Sequence, residues 1–248
     1  MAAWTAIAAA TVLEARRTRA VWLFVAAALG GLLLARLAGA LSLTETAQTQ
    51  AVLLGAVLRA ATVFVAAGFA IHSVAREADS GQRDLYLALA MPRHMYAVAK
   101  FGGGMALVLA AAAASGLLLV WFAPASAALA WALTLAGEAA TVLAFALFCA
   151  LGLRTALAAL GATVAFYILA RSAGSMLLLA AHAGEPAHLA ARGLSAILPR
   201  LDQCARSDWL AYGAPSADAV LLCLGQCGVY IVLLGAAAAY DLQRKELT

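Results

Sequence analysis

Six uninterrupted apolar runs of about 20 residues each leave this chain few folds to choose from. They fall near residues 20–42, 51–75, 98–122, 128–152, 155–181 and 217–240. At about 1.5 Å of rise per residue, a helix of this length crosses the roughly 30 Å hydrocarbon layer of a bilayer. The runs are rich in Ala and Leu and do not alternate polar with apolar residues. A membrane β-barrel, which reads as alternating segments of about 10 residues, does not fit. Composition agrees: 66% of the 248 residues are hydrophobic and 11% are charged, against about 45–50% and about 25% in soluble domains. The expected fold class is an all-α polytopic membrane protein with six transmembrane helices. Residues 1–248 are expected to form a single transmembrane domain, without room for a soluble domain of ordinary size.

Residues 3–19 carry apolar Trp4 and Ile7 followed by Glu14, Arg16, Arg17 and Arg19. Charges that follow the apolar residues do not suit a cleaved leader. We read residues 1–19 as an amphipathic N-terminal helix lying in the membrane interface. Orientation follows from counting Lys and Arg. With both termini inside, ten fall on the cytoplasmic side (Arg16, Arg17, Arg19, Arg76, Arg83, Arg93, Lys100, Arg154, Arg244, Lys245), leaving six elsewhere. Both termini are therefore expected in the cytoplasm, and the net charge of +4 is read as topology, not nucleic-acid binding. Segment 182–216 becomes the external loop. Its Pro186, Pro199 and Pro215 break it into two short interfacial or re-entrant helices between the fifth and sixth spans. The two halves of the chain show no internal repeat.

One stretch interrupts the apolar pattern sharply. Arg76-Glu77-Ala78-Asp79-Ser80-Gly81-Gln82-Arg83-Asp84-Leu85-Tyr86, continuing to Met91-Pro92-Arg93, holds six of the chain's charged residues. Such a segment cannot lie in hydrocarbon, so 76–97 is expected to be a structured cytoplasmic loop. Leu85, Leu87, Leu89 and Met91 suggest a short amphipathic helix stopped by Pro92, suited to docking in a partner's groove. A passive positive-inside loop is the plainer alternative, but it has little reason to combine an acidic pair, a glycine and a helix.

At these residues the chain resembles the membrane subunits of ABC transporters of the ABC-two (type-V) family. Those subunits carry an acidic-x-x-x-Gly stretch, leucines, a Pro-Arg pair and a lysine opening the third span. Here these are Glu77 to Gly81, Leu85-Tyr86-Leu87-Ala88-Leu89, Pro92-Arg93 and Lys100, with Glu14, Arg16 and Arg17 in the N-terminal helix. The resemblance implies a homodimer bound to two copies of a separate ABC ATPase. The docking residues would be Glu77, Asp79, Gly81, Arg83, Asp84, Leu85, Tyr86, Leu89, Pro92 and Arg93. It implies a bacterial inner membrane, no cofactor in this chain, ATP and Mg in the partner, and a periplasmic accessory protein as a further candidate partner. The residues themselves agree on one point: a P-loop needs Gly-x-x-x-x-Gly-Lys-Ser/Thr, and neither Lys100 nor Lys245 follows a glycine.

Two charges lie inside the apolar runs. Glu138 in the fourth and Arg171 in the fifth fall at similar depth. A charge near the bilayer centre costs about 2.5–3.5 kcal/mol on insertion scales, so they are expected to pair or to line a polar cavity, while Arg36 and Arg59 reach the external surface. The four cysteines (149, 204, 223 and 227) make no zinc framework, and Cys204, alone in the external loop, has no disulfide partner within it. Cys223 and Cys227, at i and i+4, suit Cu(I) or small-residue packing, with packing preferred and no metal expected. Histidines 72, 94, 182 and 188 are scattered.

The function expected is the permease subunit of an ABC exporter, itself non-catalytic. The alternative is an assembly or cofactor-maturation factor on the same fold, haem- or copper-related. An intramembrane enzyme is less favoured, because Gly-x-Ser-Gly, His-Glu-x-x-His and paired intramembrane aspartates are missing from the sequence. The substrate is not legible.

Overall fold

Helix boundaries fall where backbone chemistry sets them. The computed structural model describes residues 9–15, 18–42, 45–81, 93–181 and 185–244. Among the described residues, six helices are long and apolar enough to cross a membrane: α1 (Arg19–Leu41), α2 (Thr46–Asp79), α3 (Arg93–Leu119), α4 (Ala125–Gly152), α5 (Ala156–Ala180) and α8 (Ala217–Arg244). Between α5 and α8 lie α6 (Glu185–Ile197), a 3-10 turn (Leu201–Gln203) and α7 (Ser207–Tyr212). Residues 9–15 are helical as well. Among the described residues there is no strand. The chain is an all-α, multi-pass membrane protein.

Pro124 precedes α4 immediately, where its fixed φ is compatible with helix entry. The Thr155 hydroxyl caps α5 by accepting from the Ala158 N–H at 3.3 Å, satisfying one of the orphan donors of a helix start. Gly81, just past α2, has φ +71°, the left-handed conformation that glycine adopts without strain. The helices outrun the apolar windows that betray them. α2 begins at Thr46 and ends at Asp79, because polar residues such as Thr49, Gln50 and Arg76 sustain a helix where hydrocarbon no longer requires one. Its 34 residues make a rod of about 51 Å, well beyond the apolar layer. α3 stops at Leu119, slightly short of the expected 122.

α4 is the central helix. It packs against α2, α3, α5 and α8, with Trp131, Leu135, Glu138, Ala139 and Leu143 wholly buried. Small residues permit the close approach, as is usual where helices associate in lipid. Gly116 of α3 lies so near α4 that an added Cβ would stand 2.8 Å from the Ala132 Cβ. α1 packs on α2 and α8 on α4. Their other faces, including Leu33, Leu37, Val232 and Leu233, are exposed, as lipid-facing rows must be. The two ends of the bundle are here called the Lys100 end, to which α2 and α8 run, and the Cys204 end, where segment 185–213 lies.

Candidate functional site

Among the described residues, two polar clusters are built into the apolar bundle, one at each end. At the Lys100 end, Ser73 and Glu77 stand one turn apart on α2, and Tyr96 and Lys100 one turn apart on α3. Residues at i and i+4 share a helix face, so the two pairs meet where α2 packs on α3. Lys100 Nζ lies 2.5 Å from Glu77 Oε1 and donates to Ser73 Oγ at 2.7 Å. Tyr96 donates its hydroxyl to Glu77 Oε2 at 2.6 Å. Glu14, from the helical stretch 9–15, closes the cluster. It accepts from Ser73 Oγ at 2.8 Å, lies 3.7 Å from Lys100 Nζ and pairs with Arg76 Nη2 at 2.8 Å. Lys100, Glu77 and Tyr96 are all buried. Lys100 neutralises the buried Glu77, which is what makes burying that pair tolerable, while the exposed Arg76 balances the partly buried Glu14. A groove of about 1270 Å³ opens beside the cluster, lined by Leu13, Arg19, Leu23, Phe64, His72 and Arg76 among others.

Of the residues expected to meet an ATPase, Glu77 is thus turned inward, its carboxylate occupied by Lys100 and Tyr96. Asp79 and Gly81 are exposed at the end of α2, and Arg93 is the first residue of α3. Arg83, Asp84, Leu85, Tyr86, Leu89 and Pro92 lie outside the described residues, as do Arg16 and Arg17. So the segment 76–97 is helical at both ends of its described part, and α2 and α3 carry the connection between them as two stems.

At the Cys204 end, the segment between α5 and α8 folds back into the bundle. Arg171 donates from Nη1 to the carbonyls of Leu201 at 2.6 Å and Cys204 at 2.7 Å, and sits 3.3 Å from Glu138 Oε2. The two residues singled out by depth do meet, but Arg171's shorter contacts are with the loop backbone. Glu138 is fully buried and accepts a second hydrogen bond, from the Tyr167 hydroxyl, at 3.1 Å. Ala205 is the loop's deepest point. Its carbonyl accepts from Arg59 Nη1 at 3.1 Å and Trp131 Nε1 at 3.0 Å, and its N–H donates to Thr134 Oγ1 at 3.1 Å. Ala205 has φ +44° and no exposure. A non-glycine residue in this region costs about 1–3 kcal/mol and persists only where surroundings over-determine it. Three side chains from α2 and α4 do so. Arg59, which stays partly exposed, donates to this carbonyl, and Arg36, which is exposed, lies over the Phe122 ring, 5.4 Å from its centroid.

Cys204 and Cys223 form a disulfide, with Cα atoms 5.8 Å apart. The expectation that Cys204 has no partner within its own loop therefore misses a partner in the following span. With Cys223 so engaged, Cys227 is the member of that pair that keeps a thiol, as Cys149 does in α4. Sequence reasoning also missed Arg59, Trp131 and Thr134 as loop anchors. Their only signal is a polar atom inside an apolar run.

No protein-family model matches this chain, and comparison with curated proteins finds none that matches.

Proposed function

We propose that this chain is the membrane-spanning subunit of an ATP-driven exporter of the ABC-two kind that its sequence resembles. Two copies span the membrane, a separate ATPase docks on segment 76–93, and substrate leaves at the Cys204 end. The observation that carries this reading is the polar cluster of Glu14, Ser73, Arg76, Glu77, Tyr96 and Lys100. It clamps the two stems of the 80–92 connection to each other and to the N-terminal helix. A connection that only links two spans needs no such clamp. One that must pass force from a partner into the bundle needs stems that move together, on a rod long enough to clear the apolar layer. The α2 overhang supplies that length. At the far end, Arg171, Arg59, Trp131 and Thr134 hold a loop against Glu138, which suits a cap over an exit path.

Isolation of the tagged chain in mild detergent, with mass spectrometry of what accompanies it, tests the proposal. The expected result is a soluble ATPase in equal amount, lost when Asp79→Lys is combined with Arg83→Glu while the chain itself stays folded. Glu77 is left untouched because its reversal would disrupt the polar cluster. A folded chain that isolates alone would sink the exporter reading. Haem or copper accompanying the chain would move the assignment to a maturation factor.

A further inference from the structure

Cys204 follows the 3-10 turn, and Cys223 and Cys227 stand four residues apart on α8, on one face and about 6 Å apart along its axis. The sulfurs of all three lie within 4.8 Å of one another, and none of the three residues is more than 2% exposed. Cys204 is bonded to Cys223, while the thiol sulfur of Cys227 lies 3.9 Å from that of Cys204. A free thiol in contact with a disulfide sulfur is the arrangement from which thiol–disulfide exchange starts.

The surroundings position both reactants. Arg171 holds the Cys204 carbonyl at 2.7 Å, and the next residue, Ala205, is fixed by three further hydrogen bonds. On the other side, α4 carries Gly137 opposite Cys227, where a Cβ would come to 3.4 Å of the Cys227 sulfur. The hydroxyl of Thr141, one turn on, donates to the Gly137 carbonyl at 2.9 Å. Packing alone asks for none of this, since any small apolar side chain would fill the place.

We propose that Cys204, Cys223 and Cys227 form an internal thiol–disulfide exchange centre, in which the loop cysteine Cys204 is tied to either of two positions one turn apart on α8. In the step, Cys227 loses its proton and its thiolate attacks the sulfur of Cys204. The Cys204–Cys227 bond forms as the Cys204–Cys223 bond breaks, and the bonding electron pair leaves on the Cys223 sulfur, which takes up a proton. One disulfide and one thiol are present before and after, so no outside oxidant or reductant is consumed. The exchange moves the loop's anchor by one turn of α8, although the Cys204 sulfur has only to close the 3.9 Å to Cys227. The cap over Glu138 therefore has two anchors, and the bond pattern selects between them. This inference does not depend on the exporter reading.

The full chain is incubated at mildly alkaline pH, quenched in acid, alkylated at free thiols and mapped without reduction. Fragmentation between positions 223 and 227 assigns the linked residue. The expected result is two populations, one with Cys204–Cys223 and alkylated Cys227, the other with Cys204–Cys227 and alkylated Cys223. In Cys223→Ser the disulfide moves wholly to Cys204–Cys227. A wild-type chain carrying the Cys204–Cys223 bond alone, or no disulfide at all, overturns the proposal whatever the variant does, and that measurement needs no variant to fold.

Discussion

Arg171 and Glu138 are an unequal pair, and their inequality decides what each substitution does. Arg171 holds two loop carbonyls and lies somewhat farther from a carboxylate. Glu138 has a second donor in Tyr167. Removing one partner of a buried pair leaves an uncompensated charge and costs about 3–5 kcal/mol, and here two buried carbonyls are stranded as well. Arg171→Met should therefore lower the detergent melting temperature more than Glu138→Gln, which keeps the shape and a hydrogen-bonding group. Glu138→Gln should in turn cost more than Arg36→Gln, which removes a cation–π contact worth about 0.5–2 kcal/mol. Equal tolerance of all three would mean that the loop is not anchored through Arg171. Ala205 offers a check independent of charge. A β-branched residue at positive φ is a genuine outlier, so Ala205→Val should free the loop to protease while Ala205→Gly does not.

At the scale of elements, the stems and the helix seams make separate demands. Lys100→Met deprives Glu77 and Glu14 of their shared cation, and about 3–5 kcal/mol of destabilisation is expected from a buried charge left unpaired. Combining it with Glu77→Gln should recover part of that loss. The double-mutant cycle in thermal melts reads the coupling directly, and simple additivity would show that the two do not interact. On the seam of α3 and α4, Gly116→Ala should destabilise, because the facing Ala132 Cβ cannot rotate away. Gly161→Ala on α5, with nothing within 4 Å of the new Cβ, should instead be neutral or stabilising by up to about 1 kcal/mol of helix propensity.

These elements also mark how far the sequence could be read. Apolar run length announces a span because the bilayer imposes it on each helix alone, so all six are visible in the chain. The equal depth of Glu138 and Arg171 follows from counting along two such spans. The i, i+4 spacings of Ser73 with Glu77 and of Tyr96 with Lys100 are also visible in the chain. That these two faces meet is a property of the α2–α3 packing, and without it Glu77 reads as a surface acid. The loop anchors are harder still: Arg59 and Ala205 are 146 residues apart, and no local pattern connects them. The Cys204–Cys223 bond hides for the same reason, since it depends on the loop folding back into the bundle.

For the whole molecule the open quantity is orientation, and the structure sharpens the charge argument for it. Lys and Arg steer topology when they are in loops near span ends. Among the six basic residues away from the Lys100 end, Arg36, Arg59 and Arg171 are engaged on Phe122, Ala205 and Glu138, so they are not loop charges. The other three, Arg192, Arg200 and Arg206, lie in the segment between α5 and α8. At the Lys100 end, Lys100 itself is buried and neutralised and Arg76 is paired with Glu14, while Arg154 is exposed. The disulfide adds an argument of a different kind, because such bonds persist in oxidising compartments and not in the cytosol, and it lies at the Cys204 end. Both considerations support the proposal that the termini lie in the cytoplasm. A phosphatase that folds only in an oxidising outer compartment should therefore be active when fused after Ala214 and inactive when fused after Leu153 or Arg244. The reverse pattern would place the disulfide in a reducing compartment and the 76–93 segment outside, where no cytosolic ATPase could reach it, so one set of fusions tests the orientation and the docking surface together.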